Sequence, residues 1–309
     1  MPCAEGISDR APAGSWYIRA VRQTVVSIAL LFALSPAYAQ SAASGCDREC
    51  LRGMITTYLN AVVAHDPKSL PLAANVRFTE DTAEKQLGDG LWKTASGLGT
   101  FRQDVIDVRR GVAGTHAVMM ENGSPILFQA RLKVVSRKIS EIDTTVVRNR
   151  EEGMIYKPEA LKAASAAMNV TPEPAQRNTR EEMTQLALLY PAGLKAGSFV
   201  KVDAQFAPDA YRLENGQLMA GPGCTFFKGC DHIKEQRLPT LAGIVAKVAA
   251  VDEEQGIVWL RMSFGPGSLM GREGTLLVWE MFKIYGGEIH AVEAFMKAAP
   301  LGTQFGWEY

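Results

Sequence analysis

The sequence has no surplus of charge. Its 33 Lys and Arg residues are matched by 33 Asp and Glu, so there is no basic field to hold a phosphate backbone, and no nucleic-acid partner is expected. Familiar catalytic signatures are also missing: there is no G-x-S-x-G, no glycine-rich phosphate loop and no H-E-x-x-H. Gly265-Pro-Gly-Ser-Leu-Met-Gly271 is followed by no helical pattern and reads as a loop, not a dinucleotide fingerprint. Beyond the first 39 residues no apolar run approaches the roughly 20 residues that a spanning helix needs. What is present is ordinary for a folded chain, with 47% hydrophobic and 21% charged residues in 309, enough for two domains.

The N-terminus reads as a secretory signal over residues 1–39. Arg10, Arg19 and Arg22 precede an apolar run from Val25 to Ala33, which ends at Ser35-Pro36. Ala37-Tyr38-Ala39 then supplies the small residues a signal peptidase reads, with Gln40 as the first mature residue. The mature chain is expected to be periplasmic or secreted, with no membrane contact after cleavage. Export bears on the cysteines. Cys3 leaves with the signal, and Cys46, Cys50, Cys224 and Cys230 remain. Four cysteines in an oxidising compartment allow three disulfide connectivities, of which the local pairing Cys46–Cys50 and Cys224–Cys230 is preferred because each closes a short loop. A zinc reading of Cys224, Cys230, Asp231 and His232 lacks the second close-spaced pair that such sites carry. No metal is expected.

The chain repeats itself. Lys133–Val147 and Lys283–Lys297 superpose without a gap: Lys133 meets Lys283, Ile139 meets Ile289, Ile142 meets Val292 and Asp143 meets Glu293. Upstream, Val76-Arg77-Phe78 resembles Tyr211-Arg212-Leu213, each followed by an acid, Glu80 or Glu214. Helical patterns at Met54–Asp66 and Glu182–Ser198 put Tyr58 opposite Tyr190. Strands are predicted at Thr115–Glu121, Ile126–Ser136 and Lys138–Arg148 in the first half. The second half offers Gly256–Phe264, Thr275–Tyr285 and Glu288–Met296, with Gly286-Gly287 as a hairpin turn. This gives domains at 46–149 and 178–309, joined by a Pro-containing linker over 150–177, and an α+β class in which helices precede antiparallel strands.

The final hairpin carries Trp279, Glu280, Phe282, Lys283, Gly287, Ile289, Val292, Glu293 and Ala294. With the early helix bearing Tyr58 and Ala61, this pattern resembles the nuclear transport factor 2-like (SnoaL-like) superfamily, in both halves. The resemblance implies a tandem repeat of two cone-shaped α+β barrels, each with helices packed in a strongly curved antiparallel sheet around an apolar pocket. It implies enzymes that need no cofactor, among them isomerases, dehydratases and formaldehyde-releasing lyases of lignin-derived aromatics, and also pure binding modules. The fold alone does not choose among them. The first half would complete a pseudo-dimer in place of the homodimer many relatives form, with a homo-oligomer of whole chains as the further arrangement.

Strand alternation sorts the candidate residues. Leu276, Val278, Glu280, Phe282 and Ile284 share one face, so Glu280 sits in an otherwise apolar row where burial would raise its pKa and fit it for acid–base work. Its first-half counterpart is Ala130. The plain alternative is a structural ion pair with Arg261 or Lys283. His232, beside Asp231, and Tyr190 are the expected catalytic assistants. Arg212, Asn215, Tyr211 and Trp259 are expected to position a small apolar, aromatic substrate, with Asn215 donating to a developing oxyanion. Asn215-Gly216 is equally a turn signal, and Arg212 with Glu214 equally a structural pair. The expected function is an exported lyase or isomerase without a cofactor; the alternative is a non-catalytic binding or assembly protein of the same fold.

Overall fold

The computed structural model describes residues 45–269 and 271–309; the expected secretory signal lies outside them. The first half opens with helix α1 (Arg48–Val63), capped by the Asp47 carboxylate, which accepts from the Cys50 backbone N–H at 2.9 Å. Leu51, Ile55, Tyr58, Leu59 and Val62 recur at helical spacing and are all buried, each contributing about 1.5–3 kcal/mol for an apolar side chain. Strands β1 (Leu72–Glu80), β2 (Ala83–Glu84), β3 (Ala95–Asp107), β4 (Val112–Glu121), β5 (Ser124–Val135) and β6 (Lys138–Val147) follow. After the short helices α2 (Arg150–Gly153) and α3 (Ala166–Asn169), the second half starts at α4 (Arg180–Ala196). A capping box of Thr179 and Glu182 fixes its start, and Gly197 ends it at φ +67°. Strands β7 (Phe206–Glu214), β8 (Gln217–Ala220), β9 (Val245–Asp252), β10 (Ile257–Ser263), β11 (Thr275–Tyr285) and β12 (Glu288–Ala299) complete the chain.

The two six-stranded sheets have the same order, β2-β1-β6-β5-β4-β3 and β8-β7-β12-β11-β10-β9. The chain is a tandem duplication of one α+β unit. Each sheet is mixed rather than antiparallel, because the strand after the helix lies parallel to the last strand, β1 on β6 and β7 on β12. The curl is weak, not strong. A register shift falls at Lys133/Val134 in one half and at Lys283/Ile284 in the other, the same place in both copies, where a bulge bends the strand.

One face of each sheet packs on its own helix. The opposite faces pack on each other through Val105, Val112, Ala249, Ile257, Trp259, Trp279 and Met281. Both faces are therefore dry, which is why β11 is buried at ten of its 11 positions. The segment 150–177, read from sequence as a linker, is laid against this body: Met168 joins the sheet–sheet core and its carbonyl accepts from Lys283 Nζ at 3.3 Å. At the centre of the contact the Trp259 ring occupies the space beside Gly114, and a Cβ there would meet it at 2.2 Å. Gly114→Val is expected to destabilise the protein by about 1–3 kcal/mol, the cost of overpacking, read as a lower urea midpoint. An unchanged midpoint would mean that the two faces are not in contact in solution.

Candidate functional site

The site is built on the helix-facing side of the second sheet. β11 places Glu280 between Leu260 of β10 and Ala294 of β12, in a row whose other members, Val278, Phe282 and Ile284, belong to the core under α4. Glu280 is 1% exposed, and its Oε2 has no hydrogen-bond partner among the described residues. β7 adds Arg212, also buried, which donates to the Tyr190 hydroxyl at 3.2 Å and to Gln236 Oε1 at 3.1 Å. Its Nε lies 2.9 Å from Glu214 Oε1 without hydrogen-bond alignment. Tyr190 is held from behind by Phe199 and Phe282, with ring centroids 4.9 and 5.1 Å away.

The electrostatics follow from burial. The Glu280 carboxyl is pushed up to about 8, chiefly by desolvation and then by the charge of Glu214, with Arg212 and the Tyr190 phenol pulling the other way. Burial works against the Arg212 guanidinium's charge, but Tyr190, Glu214 and Glu280 outweigh it and hold its pKa above the ordinary value. The Tyr190 phenol is raised well above its usual range by burial, against the pull of Arg212, and so remains a proton donor. Tyr190, Arg212, Glu214 and Gln236 form one wall of a cavity of about 280 Å³, faced by Leu194, Leu241, Phe264, Leu276 and Met296. Glu280 lies behind this wall, not in it. The arrangement is a largely apolar chamber that the Tyr190 phenol and the guanidinium groups of Arg212 and Arg237 line, with a buried acid that titrates near neutrality behind it.

The first half has the same frame without this chemistry. Ala130 stands where Glu280 does. Strand register corrects the sequence pairing of Arg77 with Arg212: Arg212 pairs with Val292 as Phe78 pairs with Ile142, so Phe78 is the counterpart. Arg77 matches Tyr211 and faces outward, bonded to Glu84 at 2.9 Å. Glu80, equivalent to Glu214, accepts from the Leu91 N–H and from Lys85 Nζ at 2.8 and 2.9 Å.

One protein-family model matches residues 176–296, a domain of unknown function, DUF8021. No curated protein matches the sequence. Solved structures similar to this chain include a de novo designed protein with a curved β-sheet (16% identity, 33% of this chain and 88% of that one, TM-score 0.27). Two more are nuclear transport factor 2-like proteins of unknown function. The one from Burkholderia xenovorans shows 12% identity over 33% of this chain and 85% of that one, with TM-score 0.27. The one from Cytophaga hutchinsonii shows 15% identity over 37% and 98%, with TM-score 0.25. The helix and sheet order, present twice, matches the resemblance carried by the closing hairpin. Each half follows the helix-then-sheet order that this resemblance implies.

Within the second half, the remaining candidate residues lie apart from Glu280. The His232 side chain is 70% exposed, 3.6 Å from Asp231, and lines a separate hollow with Phe206 and Pro208. Asn215 is spent on the fold: its Nδ2 donates to the carbonyls of Gly153, Ile155 and Met296 at 2.9–3.1 Å, and its Oδ1 accepts from the Met296 N–H at 2.8 Å. No donor is left for an oxyanion. Tyr211 is on the outer face, its hydroxyl bonded to Glu293 at 2.6 Å and Ser165 at 2.5 Å. Trp259 is in the sheet–sheet core and donates to His116 Nε2 at 3.1 Å. Neither structural ion pair considered for Glu280 forms. Arg261 lies over Trp279 on the other face, and Lys283 Nζ is held by the carbonyls of Met168, Val170 and Gln255.

Gln236 was not legible as a site residue, since it sits in the irregular stretch between β8 and β9 with no periodicity to place it. That stretch carries the Cys224–Cys230 disulfide; the other disulfide is Cys46–Cys50. The local pairing is thus the one present, and Cys224 and Cys230, bonded to each other, are not zinc ligands. Among the described residues no cluster of His, Cys, Asp and Glu could hold a metal ion, and no helix is long and apolar enough to cross a membrane. Two disulfides are consistent with an exported protein.

Proposed function

We propose that the second half is an acid–base catalyst, a lyase or isomerase that uses its own side chains on a small, apolar, aromatic-sized molecule. The observation that carries this is a fully buried carboxyl, Glu280, titrating near neutrality behind a phenol and a guanidinium that open onto an apolar chamber. A buried acid of this kind costs stability, and groups kept at such a cost cluster at functional sites. In this reading Tyr190 faces the reacting atom, and Glu280, protonated at neutral pH, restores the proton that the phenol gives up. Arg212 holds the phenol in place and stabilises negative charge that develops on the substrate. His232, Asn215, Tyr211 and Trp259 have no part in it. The first half, with Ala130 and Phe78, serves as a scaffold completing a pseudo-dimer, and two disulfides with the N-terminal pattern suit work in the periplasm or outside the cell.

The test is purified mature protein incubated with a panel of monocyclic aromatic alcohols and phenols, followed for released formaldehyde, dehydration or isomerisation by mass spectrometry. Turnover of at least one compound is expected, with Glu280→Gln slowing it by about 10²–10⁴-fold, the range for loss of a general acid or base, and Tyr190→Phe likewise. Turnover that Glu280→Gln leaves untouched would sink the mechanism. Binding of panel members without conversion would favour the alternative, a small-molecule-binding module.

A further inference from the structure

The least explained group among the described residues lies outside the Glu280 chamber. Arg261 on β10 is completely buried, and among the described residues its Nε and both terminal nitrogens make no hydrogen bond. Its faces are covered, by Trp279 at 4.9 Å and Phe305 at 5.3 Å, but aromatic faces leave the in-plane N–H donors unmet. The nearby buried acid, Asp143, is already bonded to Thr79 Oγ1 at 2.8 Å and to the Tyr309 hydroxyl at 2.5 Å. A guanidinium desolvated without acceptors costs several kcal/mol. That cost needs a reason.

A cavity of about 740 Å³ adjoins it, bounded by the outer face of the second sheet and by residues 301–308. Ser263, two residues along β10 on the same face, lines the cavity, and so does Lys247, the direct cross-strand neighbour of Arg261. Phe305 also lines it, and the Arg261 guanidinium lies over its ring at 5.3 Å. Trp307 supplies a second aromatic wall, pinned by its Nε1 bond to Thr79 Oγ1 at 2.7 Å and by Arg77 stacked over it at 4.2 Å. Arg77 has its own acid, Glu84. Among the described residues Lys247 pairs with Glu308, 3.9 Å away and 98% exposed, a weak partner in water.

We propose that this cavity is a second small-molecule site, separate from the Glu280 chamber, and that it takes an aromatic carboxylate. The planar fork of Arg261 matches a carboxylate through two parallel N–H bonds. Lys247 draws the anion in from the rim, and Phe305 and Trp307 flank the flat ring, Phe305 turning aside to admit the carboxylate to Arg261. The site favours a monoanion with a ring over a compact, highly charged anion, because Arg261 is a desolvated cation with no acceptor among the described residues and the walls are aromatic.

The test is isothermal titration calorimetry of the mature full-length chain with sodium benzoate, and separately with inorganic phosphate. Saturable benzoate binding is expected. Lys247→Ala, a half-exposed change that leaves the core intact, is expected to weaken it by about tenfold, the loss of one charge-assisted contact. Arg261→Gln, checked for folding by circular dichroism, is expected to weaken it at least as much. Glu280→Gln is expected to leave it unchanged, which separates this site from the chamber. Three results would overturn the assignment: no benzoate binding, binding that survives both Lys247→Ala and Arg261→Gln, or binding that Glu280→Gln abolishes. Phosphate binding without benzoate binding would overturn the aromatic carboxylate in favour of a simple anion site.

Discussion

Exchange of Glu280 for glutamine is expected to make the protein more stable at pH 8 than the parent, and to leave the two alike near pH 4. The folded carboxyl titrates at about 8, whereas in the unfolded chain it returns to the ordinary value of about 4.3. Between those values the folded state keeps a proton that the unfolded state has released. The unfolding free energy therefore falls as pH rises, by about 1.4 kcal/mol per unit, and levels off above the folded pKa. Across the window from about 4.3 to about 8 this amounts to about 5 kcal/mol as an upper figure. Glutamine fills the same space and does not titrate, so its profile lacks this slope. Asp143 and Glu293, also raised by burial, and His290, lowered by burial, add slopes of their own, but these are common to both proteins and cancel in the difference. Urea unfolding at pH 5 and pH 8 measures it. Parallel profiles would show that Glu280 reaches water, and the chamber would lose its buried acid. Paired with the turnover assay, the result bears on function: a substitution that gains stability and loses activity marks a strained functional group.

This carboxyl was visible in the sequence because strand alternation is strict within β11, and one acid in an apolar row is an anomaly whatever its partners. Its neighbours were less visible. Arg212 was matched to Arg77 by residue type, and only the pairing of β7 with β12 shows that the match is off by one, which moves the side chain to the other face. Tyr211 and Trp259 read as pocket aromatics because period-two logic says which face a residue occupies, not what covers that face. Here the far face is covered by the other half, so aromatics there serve the contact between sheets. The same contact hid β3 and β9. β3 carries Gly97 and Gly99 together with Arg102 and Asp104, and β9 passes from Lys247 to Asp252 through four apolar residues in a row, so neither alternates cleanly. The closing hairpins, rich in β-branched and aromatic residues, were legible to within three residues at every strand end in both copies.

Removal of Asp107 or of Asp252 is expected to cost about 3–5 kcal/mol each, the penalty for leaving a desolvated charge without its partner. The two residues end equivalent edge strands, and each reaches across to the other half. Asp252 takes both terminal nitrogens of Arg48 at 2.7 and 2.8 Å and the Ile106 N–H at 3.0 Å. Asp107 takes both terminal nitrogens of Arg180 at 3.0 and 2.5 Å and the Val251 N–H at 2.9 Å. The arginine is the first residue of the helix in each half, and the donating N–H belongs to the residue just before the opposite aspartate. Reciprocity of this kind is the signature of two copies meeting about a twofold relation. Both aspartates are completely buried, so neither pair is a screened surface bridge, and bidentate geometry with an added backbone bond is the arrangement that offsets desolvation. Asp107→Ala and Asp252→Ala should therefore lower the melting temperature by similar amounts, on the order of 10 °C at about 2–4 °C per kcal/mol for a chain of this size. A loss below about 1 kcal/mol in either would place that pair in solvent. The paired change Asp107→Leu with Arg180→Met should recover much of the loss, since an apolar pair leaves no buried charge behind. If it recovers none, the aspartate is needed for its bond to the Val251 N–H rather than for its charge, and the edge strands, not the ion pairs, hold the halves together.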